Sequence, residues 1–106
     1  MNIQKIQNQP SFNGTISISE KISPKLRGDV AKAIENIDIS QKPYDLFIKN
    51  IENDNFLAFQ VISQKADNEK YTVMVHKNLQ KGNFIGDSLT EVFQKYEQLL
   101  ASKKNK

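Results

Sequence analysis

The single histidine, His76, and the complete absence of cysteine narrow the chemistry open to this 106-residue chain. An imidazole oriented by a carboxylate such as Asp45 or Glu69 could run acid–base chemistry, but only within a concave pocket that gathers those groups. Structural zinc takes sets of Cys and His that one imidazole does not supply. Glu52 with Asp54, and Asp67 with Glu69, set oxygen ligands two residues apart, a spacing that calcium accepts. Both pairs, however, sit in Asn-rich clusters that hairpin turns require for backbone reasons, and neither matches an EF-hand loop. Gly82-Asn83-Phe84-Ile85-Gly86 precedes a helical pattern, as a phosphate-binding loop would. It lacks the lysine and is followed by Asp87, whose charge opposes an anion. No nucleophile elbow of the GxSxG kind is present. Asn13-Gly14-Thr15 fits a glycosylation acceptor, and is read more simply as the approach to a strand. The expectation is a non-catalytic protein with no metal and no cofactor.

The cations are the other candidates. Lys25, Arg27, Lys32, Lys49, Lys77, Lys81, Lys103 and Lys104 are the residues that would contact phosphate if the chain binds RNA, since phosphate neutralisation supplies most non-specific affinity. The formal net charge is +3, yet removing Lys103, Lys104 and Lys106 from the 15 basic residues leaves 12 against 12 acidic ones. The excess is therefore a short lysine tail on a neutral body, and an RNA-binding face would require the other lysines to segregate onto one side. Tyr44, Tyr71 and Tyr96 could stack on bases, but each falls on an apolar face and is expected in the core.

The elements that must position these groups follow from hydrophobic period. Phe12, Gly14, Ile16 and Ile18 alternate with polar residues, which predicts a half-buried first strand. Ser23-Pro24 supplies a cap and a first-turn proline. Leu26, Val30, Ala33, Ile34 and Ile37 then recur at helical spacing, predicting a helix from Pro24 to Ile37. Tyr44, Leu46 and Ile48 alternate with Asp45, Phe47 and Lys49 in a second strand. After the turn at Glu52-Asn53-Asp54-Asn55, Phe56 to Ser63 is apolar on both faces and predicts a central third strand. Tyr71, Val73 and Val75 mark a fourth. Phe84 and Ile85 are expected to tuck inward from a loop, and Asp87 or Ser88 to cap a last helix, with Ser88 and Glu91 at capping-box spacing. Leu89, Val92, Phe93, Tyr96, Leu99 and Leu100 form its buried stripe. The expected core is Leu26, Val30, Phe59, Val73, Val92 and Tyr96.

The order β-α-β-β-β-α specifies an α+β fold: one four-stranded, mainly antiparallel sheet with two helices packed on one face. One domain over residues 12–102 is expected, with residues 1–11 as a flexible N-terminal segment and 103–106 as a basic C-terminal tail. No stretch has the length and apolarity of a signal peptide or membrane span, so a cytoplasmic protein is expected with no membrane partner. The abundance of Lys, Asn and Ile suggests, through the codon table, an AT-rich bacterial source.

Two patches carry a resemblance. Ile16-Ser17-Ile18, followed by Ile22-Ser23-Pro24-Lys25-Leu26-Arg27 and Val30, and later Asp87, Leu89, Val92, Tyr96 and Leu99 with a lysine-rich end, resemble the ribosome hibernation promoting factors, also called ribosome-associated inhibitors. That resemblance implies a fold related to double-stranded-RNA-binding domains, a role in translation regulation, and the small ribosomal subunit or structured RNA as partner. It also implies that Lys25 and Arg27 at the start of the first helix, and Lys103 and Lys104 after the second, meet phosphates. Members that bind the ribosomal decoding region are basic along both helices, whereas here Glu91, Glu97, Gln98 and Ala101 interrupt the second. The alternative is a protein-interaction module that uses an open sheet face, because Phe47 and Ile51 point away from the side the helices cover.

Overall fold

The computed structural model describes residues 13–66 and 68–104, Lys104 by its backbone only. The segment 1–11, Phe12 and Asp67 lie outside the described residues. Strands β1 (Ile16–Ile18), β2 (Tyr44–Ile51), β3 (Phe56–Ser63) and β4 (Lys70–His76) form one sheet in the order β1-β2-β3-β4. Helix α1 (Pro24–Ala33) lies between β1 and β2 in the chain, and α2 (Phe84–Lys104) follows β4 and a 3-10 turn, Lys77–Leu79. β1 runs parallel to β2, as a helical crossover permits, and the two tight connections that follow make β2, β3 and β4 an antiparallel meander. The α+β order expected from the hydrophobic periods is the order observed.

Both helices cover the same face. Leu46, Ile48, Leu57, Phe59 and Val61 project from the two central strands into one cluster with Val30 of α1 and Leu89, Val92 and Tyr96 of α2, all of them buried. Burying side chains of this size contributes about 1.5–3 kcal/mol each, and this cluster is what holds the two layers together. Tyr44 sits at its edge against Tyr96, ring centroids 5.0 Å apart and edge to face. Five of the six expected core residues are buried, and Leu26 packs against the cluster half-buried.

Four boundaries differ from the expectation. The first strand is Ile16–Ile18 rather than a run from Phe12. Gly14 instead presses its backbone against the carbonyls of Ile39 and Tyr44, a position at which any Cβ would collide. α1 ends at Ala33, four residues before Ile37. The chain tightens through Ile37 N–H to Ile34 C=O, 3.0 Å, and turns so that Ile39 fills the core. α2 starts at Phe84, a turn before Asp87 and Ser88, because Gly82 takes the left-handed φ of 60° and Asn83 C=O accepts the first helical bond from Asp87 N–H at 3.0 Å. Ser88 is thus a buried interior residue and not a cap, while Ile85 is buried and Phe84 half-buried, inward as expected. The helix also runs through the expected tail to Lys104, with the Lys103 ammonium 3.7 Å from the Glu69 carboxylate.

Candidate functional site

The strand register sorts every side chain of the sheet onto one of two faces. Residues paired with the buried set lie under the helices, and the alternate residues lie on the other face. The second set is Ser17 of β1; Asp45, Phe47, Lys49 and Ile51 of β2; Phe56, Ala58, Gln60 and Ile62 of β3; and Lys70, Thr72, Met74 and His76 of β4. No described element covers this face. Phe47 and Ile51 therefore point away from the helices, as their alternation required.

The uncovered face is not a plain solvated surface. Met74 is 53% exposed, one of two large apolar side chains so open among the described residues, and Phe47, Ile51, Phe56 and Ile62 are half-buried, Ile51 directly opposite Phe56. Ala58 lies in their midst and is only 1% exposed, since longer neighbours close over its methyl group. Polar residues fix the surroundings. Gln60 Nε2 donates to Thr72 Oγ1 at 2.9 Å across β3 and β4. Asp45 Oδ1 accepts from Thr15 N–H at 2.9 Å, from Thr15 Oγ1 at 3.2 Å and from Gln64 Nε2 at 3.0 Å, which anchors the chain before β1 to the corner of the face.

His76 closes the opposite corner. Its ring stands edge-on to Phe56, centroids 5.1 Å apart, and its Nδ1 accepts from Asn78 N–H at 3.1 Å, capping the 3-10 turn. Its imidazole is occupied in structure, and the register puts Asp45 and Glu69 at the far end of the sheet. Among the described residues no three His, Asp or Glu side chains gather as a metal ion requires. Glu52 and Asp54 lie in the β2–β3 turn, where Asp54 accepts from Asn50 Nδ2, and Glu69 is engaged with Lys103.

The eight candidate cations are distributed around the fold. Lys25 and Lys32 share a flank of α1 with Asp29, which approaches the Lys25 ammonium to 3.6 Å. Asp29 and Lys32 border a groove closed by Gly82, Asn83 and Phe84, and Lys81 is exposed in the segment just before Gly82. Arg27 lies about 200° of helical rotation from Lys25, on the other flank. Lys49 is on the uncovered sheet face, Lys77 follows β4 at the end of the sheet near Asn55, and Lys103 is held at the other end. The Lys104 side chain lies outside the described residues. The structure thus sets Lys25 and Lys32 on one flank of α1 with an acid between them, and does not gather the other described cations with them.

A cavity of about 240 Å³ opens at the sheet end, lined by Lys21, Ser23, Leu26, Asn50 and Gln80 among others. Sequence reading missed it, because its walls come from α1, β2 and the segment after β4. Asn50 Nδ2 donates to Lys21 C=O at 3.4 Å and to Asp54, while its buried Oδ1 has no protein partner among the described residues. Elsewhere the perturbed groups are structural. Burial and the nearby Glu97 carboxylate, which accepts from the Tyr44 hydroxyl at 3.3 Å, push the Tyr44 phenol up to about 12. Tyr96 is raised by burial, with the Ser63 hydroxyl opposing and the Glu69 and Glu97 carboxylates assisting. Asp38 is held low by hydrogen bonds from the Ser40 hydroxyl and amide.

No family model, curated protein or solved structure matches this chain.

Proposed function

We propose that this chain is a non-catalytic binding module that docks a partner protein on the uncovered face of its sheet. One observation carries the reading: Phe47, Ile51, Phe56, Ile62 and Met74 stand on a face with no described element above them, with Gln60 and Lys49 interleaved among them and Asp45 and Lys70 at one end. Exposed apolar side chains interleaved with a few polar ones are the makeup of a protein interface. The scatter of the cations supports a protein over RNA, because a duplex or folded RNA is held by phosphate contacts made from one side. The test is affinity capture from lysate of the source cells, with and without nuclease. Wild-type chain is compared with a variant carrying Phe47→Asp and Met74→Asp. A nuclease-resistant partner retained by the wild type and lost by the variant supports the reading; equal retention by both overturns it.

Structured RNA, with the small ribosomal subunit first, is the second reading. It is favoured by Lys25 and Lys32 on one flank of α1, with Lys32 bordering the groove at the start of α2, and by the element order shared with the hibernation factors that the chain resembles. Its test is co-sedimentation with small subunits at low and moderate salt, against a variant with Lys25, Arg27, Lys103 and Lys104 changed to Glu. Salt-sensitive pelleting lost in that variant supports RNA binding, and failure of the wild type to pellet overturns it.

A further inference from the structure

The two edges of the sheet are unequal. β1 is three residues long, which blunts its capacity to pair with another strand. β4 offers seven residues, Lys70 to His76, with no proline and no acid among them. Ser63 N–H bonds Glu69 C=O at 2.9 Å and Lys77 N–H bonds Asn55 C=O at 2.8 Å. The alternation of an antiparallel ladder therefore turns the odd-numbered backbone groups of β4 toward β3, and those of Lys70, Thr72, Met74 and His76 outward. Among the described residues no strand lies beyond them. Apolar surface is left on both sides of this bare edge: Tyr71 and Val75 are only half-buried beneath α2, and Met74 is exposed on the other face.

We propose that two copies of this chain pair antiparallel along β4, joining their sheets into one of eight strands. The strand is its own complement. Centred on Val73, a two-fold pairing sets Tyr71 opposite Val75 of the second copy on the helix side, and Thr72 opposite Met74 of the second copy on the open side. These are aromatic and β-branched pairs of the kind that stabilise sheets. Lys70 meets His76 of the second copy, and the two Lys70 side chains stand at opposite ends of the pair, away from each other. The outward N–H and C=O groups of Thr72 and Met74 exchange hydrogen bonds, and even residues stay in line with even ones, so the apolar faces of the two sheets become continuous. This inference concerns the edge and holds whichever partner the face takes.

Sedimentation equilibrium of the full chain, in a concentration series reaching about 1 mM, tests it, since an edge contact of this length buries little area and gives a weak dimer. Thr72→Pro removes an outward N–H that the β3–β4 ladder does not use, a change that edge strands tolerate. Met74→Lys is the second variant, at an exposed position that leaves the fold intact should the proline variant lose its circular dichroism. The expected result is a wild-type monomer–dimer equilibrium whose dissociation constant rises at least about tenfold in each folded variant. Phe47→Asp, on the open face but two strands away from the edge, dimerises as the wild type does. A wild type that stays monomeric throughout the series overturns the proposal, as does a dimer unaffected by both edge variants or one abolished by Phe47→Asp.

Discussion

The two faces of the sheet are built from alternate residues of the same strands and do opposite things. Along β3, Leu57, Phe59 and Val61 are buried under the helices, while Phe56, Gln60 and Ile62 between them remain partly open. The backbone conformation is shared, so the difference lies in what each face meets. The inner face is matched by Val30, Leu89, Val92 and Tyr96 from α1 and α2. The outer face has side chains of similar size and nothing described against them, so apolarity there contributes less to stability than apolarity inside.

Truncating one phenylalanine on each side tests that contrast most strongly. Phe59→Ala leaves a void in the fully buried cluster and is expected to lower stability by about 3–5 kcal/mol in urea denaturation. Phe47→Ala, on the neighbouring strand and the outer face, is expected to cost less than about 1.5 kcal/mol, the share of its burial that the open face provides. Equal losses at the two positions would break the distinction between the faces. They would mean that the outer side is a second core, closed by chain or partner in solution.

Next in size is Gly14→Ala, which acts through neither face. The added methyl meets the Ile39 and Tyr44 carbonyl oxygens, which are backbone and do not rotate aside. A loss of about 1–3 kcal/mol is expected, as for other overpacked sites, read by the same denaturation assay. Because Thr15 C=O accepts from Leu46 N–H at 2.9 Å one residue later, the damage should appear as faster amide exchange in β1 before it reaches β4.

How much of this was legible follows the same division. The inner face could be read from the chain alone, since period-2 alternation in β2 and β4 and the stripe from Leu89 to Leu100 state which residues meet. Phe47 and Ile51 could be placed outside by that alternation. The ends of elements could not. Ile39 extends the core from a segment without period, and α2 begins at Phe84 through the left-handed Gly82 and the Asn83 carbonyl, where Ser88 and Glu91 advertised a cap a turn later. The dispersal of the lysines was equally hidden, because their grouping depends on how α1, the sheet and the start of α2 are set together in space. The bare edge of β4 needed the strand order, which sequence does not print.

A smaller effect comes from the border of the inner face, where Tyr44 touches both the cluster and Glu97. An unfolded tyrosine releases its proton near its ordinary value of 10, while the folded Tyr44 holds it to about 12. Between these values the unfolded state binds fewer protons, so stability falls as pH rises through that window. Tyr44→Phe is expected to flatten this alkaline decline and, at neutral pH, to cost only about 0.5–1.5 kcal/mol for the lost hydrogen bond. Urea midpoints measured from pH 8 to 12 for both chains check the sign. A variant that declines as steeply as the wild type would assign the alkaline sensitivity to Tyr96, whose phenol is also raised by burial.

The smallest effect belongs to the turn that joins β2 to β3 and lies on neither face. Glu52, Asn53 and Asp54 take φ values of 53°, 56° and 68°, three left-handed residues in succession without a glycine. Each costs up to about 1–2 kcal/mol against ordinary backbone, with Asn and Asp the better tolerated. Glu52→Gly relieves the least tolerated of the three, and its extra freedom in the unfolded chain offsets part of the gain, so a net stabilisation of less than about 1 kcal/mol is expected. Asp54→Gly relieves a similar strain but deletes the carboxylate that accepts from Asn50 Nδ2 at the mouth of the end cavity. It should gain nothing or lose stability. Urea denaturation of the two variants side by side separates strain carried for its own sake from strain that holds a side chain in place, and a gain at Asp54 equal to that at Glu52 would show the Asn50 contact to be idle.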